Sequence, residues 1–126
     1  MASAYVDTSC LVAIALDEPG AREIAERLAG FDRLVSSNLL EAELWSACAR
    51  MRTTVDPQWT AEIVWLRPRA PLTATFGTVL EAGYLRGADL YHVATALHAA
   101  GDAASLTFLT LDDKQRAVAA ALGFAT

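Results

Sequence analysis

The sequence has few lysines, few cysteines and no long uninterrupted hydrophobic run. Lys114 is the single lysine beside nine arginines, and the net charge of −5 argues against a lysine-rich nucleic-acid platform. Cys10 and Cys48 both fall on apolar helical patterns without a second ligand nearby, so we expect buried thiols rather than a zinc site. No apolar segment approaches the roughly 20 residues that cross a bilayer, and no signal segment is apparent. These absences predict a cytoplasmic protein without membrane attachment.

What is present is a hydrophobic chain in which strand and helix patterns alternate. The 126 residues are 54% hydrophobic, which excludes a disordered chain and predicts a single domain over residues 1–126. The pattern predicts an α/β sandwich with a mostly parallel sheet of four or five strands. The predicted strands cover residues 4–6, 33–36 and 105–111, with short strands at 70–72 and 124–125. The predicted helices cover residues 8–16, 21–28, 39–52, 57–66, 74–86, 89–100 and 112–122.

Asp7 stands where the first predicted strand passes into the first predicted helix, followed by Thr8 and Ser9. Ligands of open α/β sheets bind at this edge, outside the carboxyl ends of the strands. An Asp before a helix is also a common N-cap. Both interpretations stay open for Asp7, because Thr8 or Ser9 could cap the helix instead and leave the carboxylate free.

Glu43 lies within an apolar stripe of the third predicted helix, between Leu39, Leu40, Leu44 and Ala47. An unpaired buried carboxylate costs several kcal/mol, so we expect a partner for it. The partner is either an internal arginine, as in a structural ion pair, or a ligand. Glu41 points towards Trp45 and is the weaker candidate.

Asp89 and Asp112 complete a set of carboxylates at the starts of helices. Asp89 begins a predicted helix whose interior residues are apolar. Asp112 directly follows the predicted strand at 105–111, in which Thr110 is the second-last residue. Helix capping explains either residue equally well. His92, one turn after Asp89, either packs in the core or approaches a substrate. Asp113 is expected to point into solvent.

These carboxylates should meet at one edge of the sheet, because parallel strands share their carboxyl ends. Such a group would repel itself strongly, and hard divalent cations such as Mg²⁺ or Mn²⁺ relieve that repulsion. A metal held in this way activates water and stabilises phosphoryl displacement. The residues therefore favour a metal-dependent nuclease whose acids are Asp7, Glu43, Asp89 and Asp112.

Four stretches, in order along the chain, resemble the PIN-domain ribonucleases, specifically the VapC-like toxins of VapBC toxin–antitoxin pairs. The stretches are residues 5–9 (YVDTS), 40–44 (LEAEL), 86–97 (RGADLYHVATAL) and 109–112 (LTLD). The resemblance covers nearly the whole chain, and its longest motif surrounds Asp89. Two departures are Tyr91, where a small or aliphatic residue is common, and the short tail after Gly123.

The resemblance implies a three-layer α/β/α sandwich and a Mg²⁺- or Mn²⁺-dependent endoribonuclease. Within the acidic quartet, it implies that Asp7 and Asp89 hold the principal metal and that Asp112 contributes directly or through water. Glu43 would orient the attacking water or complete a second metal site. Ser9 and Thr110 match positions that often line such sites.

The resemblance also implies partners: an RNA substrate, a VapB-like antitoxin laid along a helical groove, and a homodimer that forms a heterotetramer or larger assembly with it. Trp45, Trp59 and Trp65 either line such interfaces or belong to the core.

Two alternatives from other classes remain. An aspartyl-nucleophile phosphoryl-transfer enzyme would need a second Asp where Ser9 stands, and a lysine near the phosphate, where the chain offers only Lys114. A non-catalytic α/β binding module would use the acids only as helix caps and ion pairs.

Overall fold

The computed structural model describes residues 1–126 and contains one sheet of four parallel strands in the order β3-β2-β1-β4. In β1, Tyr5 pairs with Val35 of β2 on one side and with Phe108 of β4 on the other. Because every pairing is parallel, all four carboxyl ends lie along one edge of the sheet. The strands are β1 Ser3–Val6, β2 Arg33–Ser37, β3 Ile63–Leu66 and β4 Thr107–Leu109.

Helices cover both faces of the sheet, which gives the three-layer α/β/α arrangement. Side chains alternate along the strands: Tyr5 and Phe108 stack in the core beneath α4–α6, while Val6 and Leu109 enter the core beneath α1–α3. The helices are α1 Thr8–Ala15, α2 Ala21–Ala29, α3 Leu39–Arg50, α4 Thr73–Ala82, α5 Gly87–Ala100 and α6 Asp113–Ala121.

The predicted helix at residues 57–66 is wrong. Pro57–Trp59 forms a short 3-10 turn, and Ile63–Leu66 then pairs with β2 as the edge strand β3. The run Ile-Val-Trp-Leu consists largely of β-branched and aromatic residues, which favour strands. The short strand predicted at 70–72 does not form, because Leu72 instead directly precedes α4.

The bounds of α4, α5 and β4, and the predicted strand at the end of the chain, also differ from the predictions. Helix α4 ends at Ala82 instead of residue 86, and α5 begins at Gly87, two residues before its predicted start. Strand β4 is shorter than its apolar run, since only Thr107–Leu109 pairs. The expected edge strand at the end of the chain is reduced to one bridge between Thr107 and Ala125.

Cys10 and Cys48 are buried free thiols, which confirms their expected state. Burial, with a contribution from the nearby Asp7 charge, raises the pKa of the Cys10 thiol to about 12. Cys10 is therefore a protonated packing residue and not a nucleophile. A search of the helices finds none with the length and apolar character that a membrane crossing requires.

Candidate active site

Asp7 lies at the carboxyl end of β1 and is 4% exposed. Its Oδ2 accepts hydrogen bonds from the backbone N–H of Ser9 at 3.1 Å and from the Thr110 hydroxyl at 3.2 Å. Its Oδ1 accepts from Nε2 of Gln115 at 3.1 Å. Of the two interpretations left open by the sequence, Asp7 is thus itself the N-cap of α1, and neither Thr8 nor Ser9 has that role.

The hydroxyls of Ser9 and Thr110 connect Asp7 to the end of β4. Their oxygens are 3.2 Å apart, and Ser9 Oγ accepts from the N–H of Leu111 at 3.0 Å. Thr110 Oγ1 also lies 2.7 Å from Oε1 of Gln115, and its single proton serves only one acceptor at a time, Gln115 Oε1 or Asp7 Oδ2. Both residues contact the Asp7 carboxylate, Ser9 through its backbone N–H and Thr110 through its hydroxyl.

Glu43 projects from α3 at the mouth of a groove between α1 and α3, and its side chain is 33% exposed. It is therefore less buried than its apolar neighbours in the sequence indicate. Its Oε1 accepts from the Thr8 hydroxyl at 2.7 Å and contacts Nε2 of His92 at 2.7 Å. Burial alone would raise the pKa of Glu43, but the hydrogen bonds from His92 and Thr8 outweigh it and lower that pKa. The expected partner exists, and it is a histidine rather than an arginine.

His92 is 1% exposed and connects the centre of the sheet to Glu43. Its Nδ1 lies 2.7 Å from the Tyr5 hydroxyl, which accepts from the N–H of Ser37 at 3.0 Å. The Tyr5 O–H therefore donates to Nδ1, and Nε2–H donates to Glu43, an arrangement that uses each donor once. Nε2 also lies 4.0 Å from Oδ1 of Asp7. His92 thus forms a buried polar network instead of simply packing among apolar side chains.

Asp89 lies in the first turn of α5, half-buried, and its carboxylate accepts no hydrogen bond. The N-cap of α5 is Arg86, so helix capping does not explain Asp89. Burial raises the pKa of Asp89, and the charges of Asp7, Asp112 and Glu43 raise it further. The other three predicted carboxylates therefore each act electrostatically on Asp89 at this edge of the sheet.

Asp112 caps α6, because its Oδ1 accepts from the backbone N–H of Gln115 at 2.8 Å. Two residues separate it from the end of β4, and it is exposed to solvent. Asp113 is exposed to solvent, as expected, and pairs with Arg116 at 2.6 Å.

Gln115 is a site residue that the sequence interpretation missed. It is 0% exposed, and its amide joins Asp7 Oδ1 to the backbone oxygen of Asp89, at 3.1 and 3.4 Å. A signal was available: Gln115 precedes Val118 and Ala119 at helical spacing, so it is a polar residue on the buried face of α6. A buried polar side chain needs partners, and at this edge its partner is a carboxylate.

The side-chain oxygens fit a hard divalent cation in kind, although no three His, Cys, Asp or Glu side chains are arranged as a metal-binding group. A bound cation would pair with the Asp89 carboxylate and relieve the repulsion that the other acids exert on it. Asp7, Asp89 and Asp112 are the residues that could hold it.

The tryptophans differ in environment. Trp59 and Trp65 pack, partly buried, against the core beneath α1–α3, whereas Trp45 is 59% exposed on α3. Trp59 and Trp65 contribute to the core, and Trp45 remains a candidate for an interface.

Comparison with known proteins gives one match. The PIN domain family model matches residues 4–121. No curated protein and no solved structure matches the chain. PIN domains are generally nucleases and typically use divalent metal ions. The match spans both ends of the sheet and all the carboxylates described above, and on this basis the chain belongs to the PIN-domain family.

Proposed function

We propose that this protein is a Mg²⁺- or Mn²⁺-dependent endoribonuclease that acts in the cytoplasm as the toxin of a toxin–antitoxin pair. One observation carries the proposal: within a PIN domain, the charges of Asp7, Glu43 and Asp112, each on a different element, all raise the pKa of Asp89, whose carboxylate accepts no hydrogen bond from the protein. The bound cation would activate water and offset the charge that develops on the phosphoryl group.

Different residues would have different roles in this reaction. Asp7, Asp89 and Asp112 would hold the metal, and Gln115 and Thr110 would fix the rotamer of Asp7 through their hydrogen bonds. The lowered pKa of Glu43 keeps it ionised at neutral pH. Two donors already use its Oε1, so Oε2 is the atom left to accept a hydrogen bond from, and thereby orient, the attacking water.

The aspartyl-nucleophile alternative gains no support. Ser9 occupies the position where such an enzyme would have its second Asp. Nζ of Lys114 lies 4.7 Å from the ring centre of Tyr84, a cation–π contact rather than a contact with the carboxylates.

We also propose a homodimer and a VapB-like antitoxin as partners, with the antitoxin lying along a helical groove. An apolar cavity of about 450 Å³ beside α1 and α2 supports this assignment. Leu11, Ile14 and Leu28 line it together with Trp59. Copurification with the product of a neighbouring reading frame, and loss of RNA cleavage in that complex, would be the expected result.

The first prediction concerns the reaction itself. Purified protein should cleave RNA with Mg²⁺ or Mn²⁺ and should stop when chelator is in excess, because the attacking water depends on the metal. Asp7→Asn or Asp89→Asn should reduce the single-turnover rate by about 100-fold or more, while circular dichroism shows the fold intact. Asp113→Asn removes an equal charge from an exposed acid and serves as the matched control. Cleavage that persists in chelator, or in both site variants, would exclude the proposed reaction.

A further inference from the structure

Three adjoining cavities form a continuous groove between the β2–β3 side of the sheet and α5, which we call the edge groove. Their volumes are about 790, 300 and 210 Å³. The first two share Arg67 and Pro68, and all three share Leu66. The groove therefore has the extent of an elongated ligand and not of a single small molecule.

The edge groove begins beside the carboxylates. Its first cavity is lined by Ala88, the neighbour of Asp89, and by Ser37, whose N–H binds the Tyr5 hydroxyl of the His92 network. From there it continues past Thr95 along α5. A chain lying in the groove would reach the acidic edge at one end.

The charge of the edge groove is opposite to that of the whole protein. No Asp or Glu lines any of its cavities, whereas Arg67, Arg69, His98 and Arg33 do. Arg67 and Arg69 are exposed and form neither a hydrogen bond nor an ion pair. In a chain of net charge −5, unpaired guanidinium groups along an acid-free groove favour a polyanion.

Tyr91 adds an aromatic side chain to the same groove. It lines the first cavity and is half-buried, with Phe76 behind it at 6.3 Å between ring centres. A basic groove combined with an aromatic platform is how proteins bind single-stranded nucleic acid without reading its sequence.

We propose that the edge groove binds single-stranded RNA and leads it to the acidic edge. Arg67 and Arg69 contact backbone phosphates, and Tyr91 stacks on a base near the cleaved bond. The proposal deepens the ribonuclease assignment and rests on it for the identity of the reaction, but RNA binding is measurable without cleavage.

The test is a binding titration of fluorescent single-stranded RNA, about ten nucleotides long, to the Asp7→Asn protein in Mg²⁺ at several salt concentrations. Adding Arg67→Gln and Arg69→Gln should weaken binding about tenfold and reduce the slope of log K against log salt by about 1.4. Arg22→Gln, which replaces an exposed arginine on α2 that pairs with Glu26 outside the groove, should leave affinity nearly unchanged. If Arg22→Gln weakened RNA binding as much as the two groove substitutions do, the groove proposal would be overturned, because the loss would then reflect only the change in overall charge.

Tyr91 is tested in the same assay. Tyr91→Phe should retain affinity, and Tyr91→Leu, which still packs on Phe76, should lose about fivefold or more. Equal affinities of these two variants would exclude stacking on Tyr91.

The two proposals fail differently. Suppose that the protein with Asp7 intact cleaves RNA, and that Arg67→Gln with Arg69→Gln changes neither its KM nor its affinity for RNA. The edge-groove proposal is then wrong and the ribonuclease assignment stands. If no cleavage occurs but the arginine pair weakens RNA binding, the groove stands and the reaction is wrong. If the pair alters only the sedimentation coefficient, a second copy of the chain occupies the groove and the RNA proposal is overturned.

Discussion

Glu43 and Asp89 face the same edge of the sheet, yet their pKa values move in opposite directions. Asp89 is disfavoured as an ion by burial and by three neighbouring carboxylates. Glu43 is favoured as an ion because hydrogen bonds from His92 and Thr8 outweigh its burial. Each shift changes how stability responds to pH, and the two signs differ.

Glu43 should stabilise the fold only where it is ionised. Because its pKa is lowered from 4.5, its contribution is present above that pH and is lost as pH falls through the lowered pKa. In metal-free buffer at pH 7, Glu43→Gln should lower the free energy of unfolding by about 1 kcal/mol, measured by urea titration. The loss should shrink in strongly acidic buffer. Glu41→Gln, whose carboxylate accepts only from the exposed Asn38, is the matched control.

Asp89 should behave in the opposite way. Its pKa is raised from 3.8, so stability falls as pH rises from that value through the raised pKa and is constant above it. Asp89→Asn should therefore increase the free energy of unfolding at pH 7 without metal, by less than about 1 kcal/mol because water screens a half-exposed group. Below pH 3.8 the variant and the original protein should be equally stable. A destabilised variant at pH 7 would show that the ionised carboxylate has a favourable partner.

At the scale of residues, sequence patterns located the four carboxylates but not what holds them. The four were predictable because each lies at a strand–helix junction, at a helix start or within an apolar helix face. Their partners were not, because the contacts of Gln115 and His92 with Asp7 and Glu43 join positions 49 or more residues apart. A buried Gln or His is expected to have hydrogen-bond partners, but which residues are its partners depends on the fold.

At the scale of elements, β3 shows where periodicity misleads. Trp59, Ile63 and Leu66 recur at helical spacing, and Asp56-Pro57 resembles a helix start, so a helix was predicted. The strand forms because Ile63–Leu66 completes the edge of the sheet beside β2, a gain that no local pattern displays. The strands β1, β2 and β4 were predicted close to their observed positions, since each is a short segment of strand-forming residues that turn or helix-start residues follow.

Gly83, just after α4, provides an element-scale prediction. A Cβ there would lie 2.8 Å from Cγ2 of the buried Val118 on α6. Gly83→Ala should lower the free energy of unfolding by about 1–3 kcal/mol, because the two helices cannot separate without loosening the core. Gly77→Ala, inside α4 with open space around its Cβ, should instead gain about 0.5–1 kcal/mol.

A double mutant checks the cause. In a Val118→Ala background, Gly83→Ala should cost clearly less than in the original protein. An unchanged cost would assign the effect to the backbone at residue 83 and not to the contact between α4 and α6.

At the scale of the whole molecule, the parallel sheet makes the site. Four strands that run in one direction bring their carboxyl ends, and the acids that follow them, to one edge. The alternation of strand and helix patterns therefore predicted both the fold class and the place of the site. Partner surfaces were less predictable, because Trp45, Trp59 and Trp65 look alike in the sequence and differ only in how the fold exposes them.

The central claim is that the acidic edge binds a divalent cation, and a calorimetric titration of Mn²⁺ tests it most directly. The original protein should bind Mn²⁺, and Asp89→Asn should bind it at least about tenfold more weakly, since Asp89 has the carboxylate free of other partners. Asp113→Asn should bind as the original protein does. Absence of Mn²⁺ binding, or equal binding by Asp89→Asn and the original protein, would contradict the account.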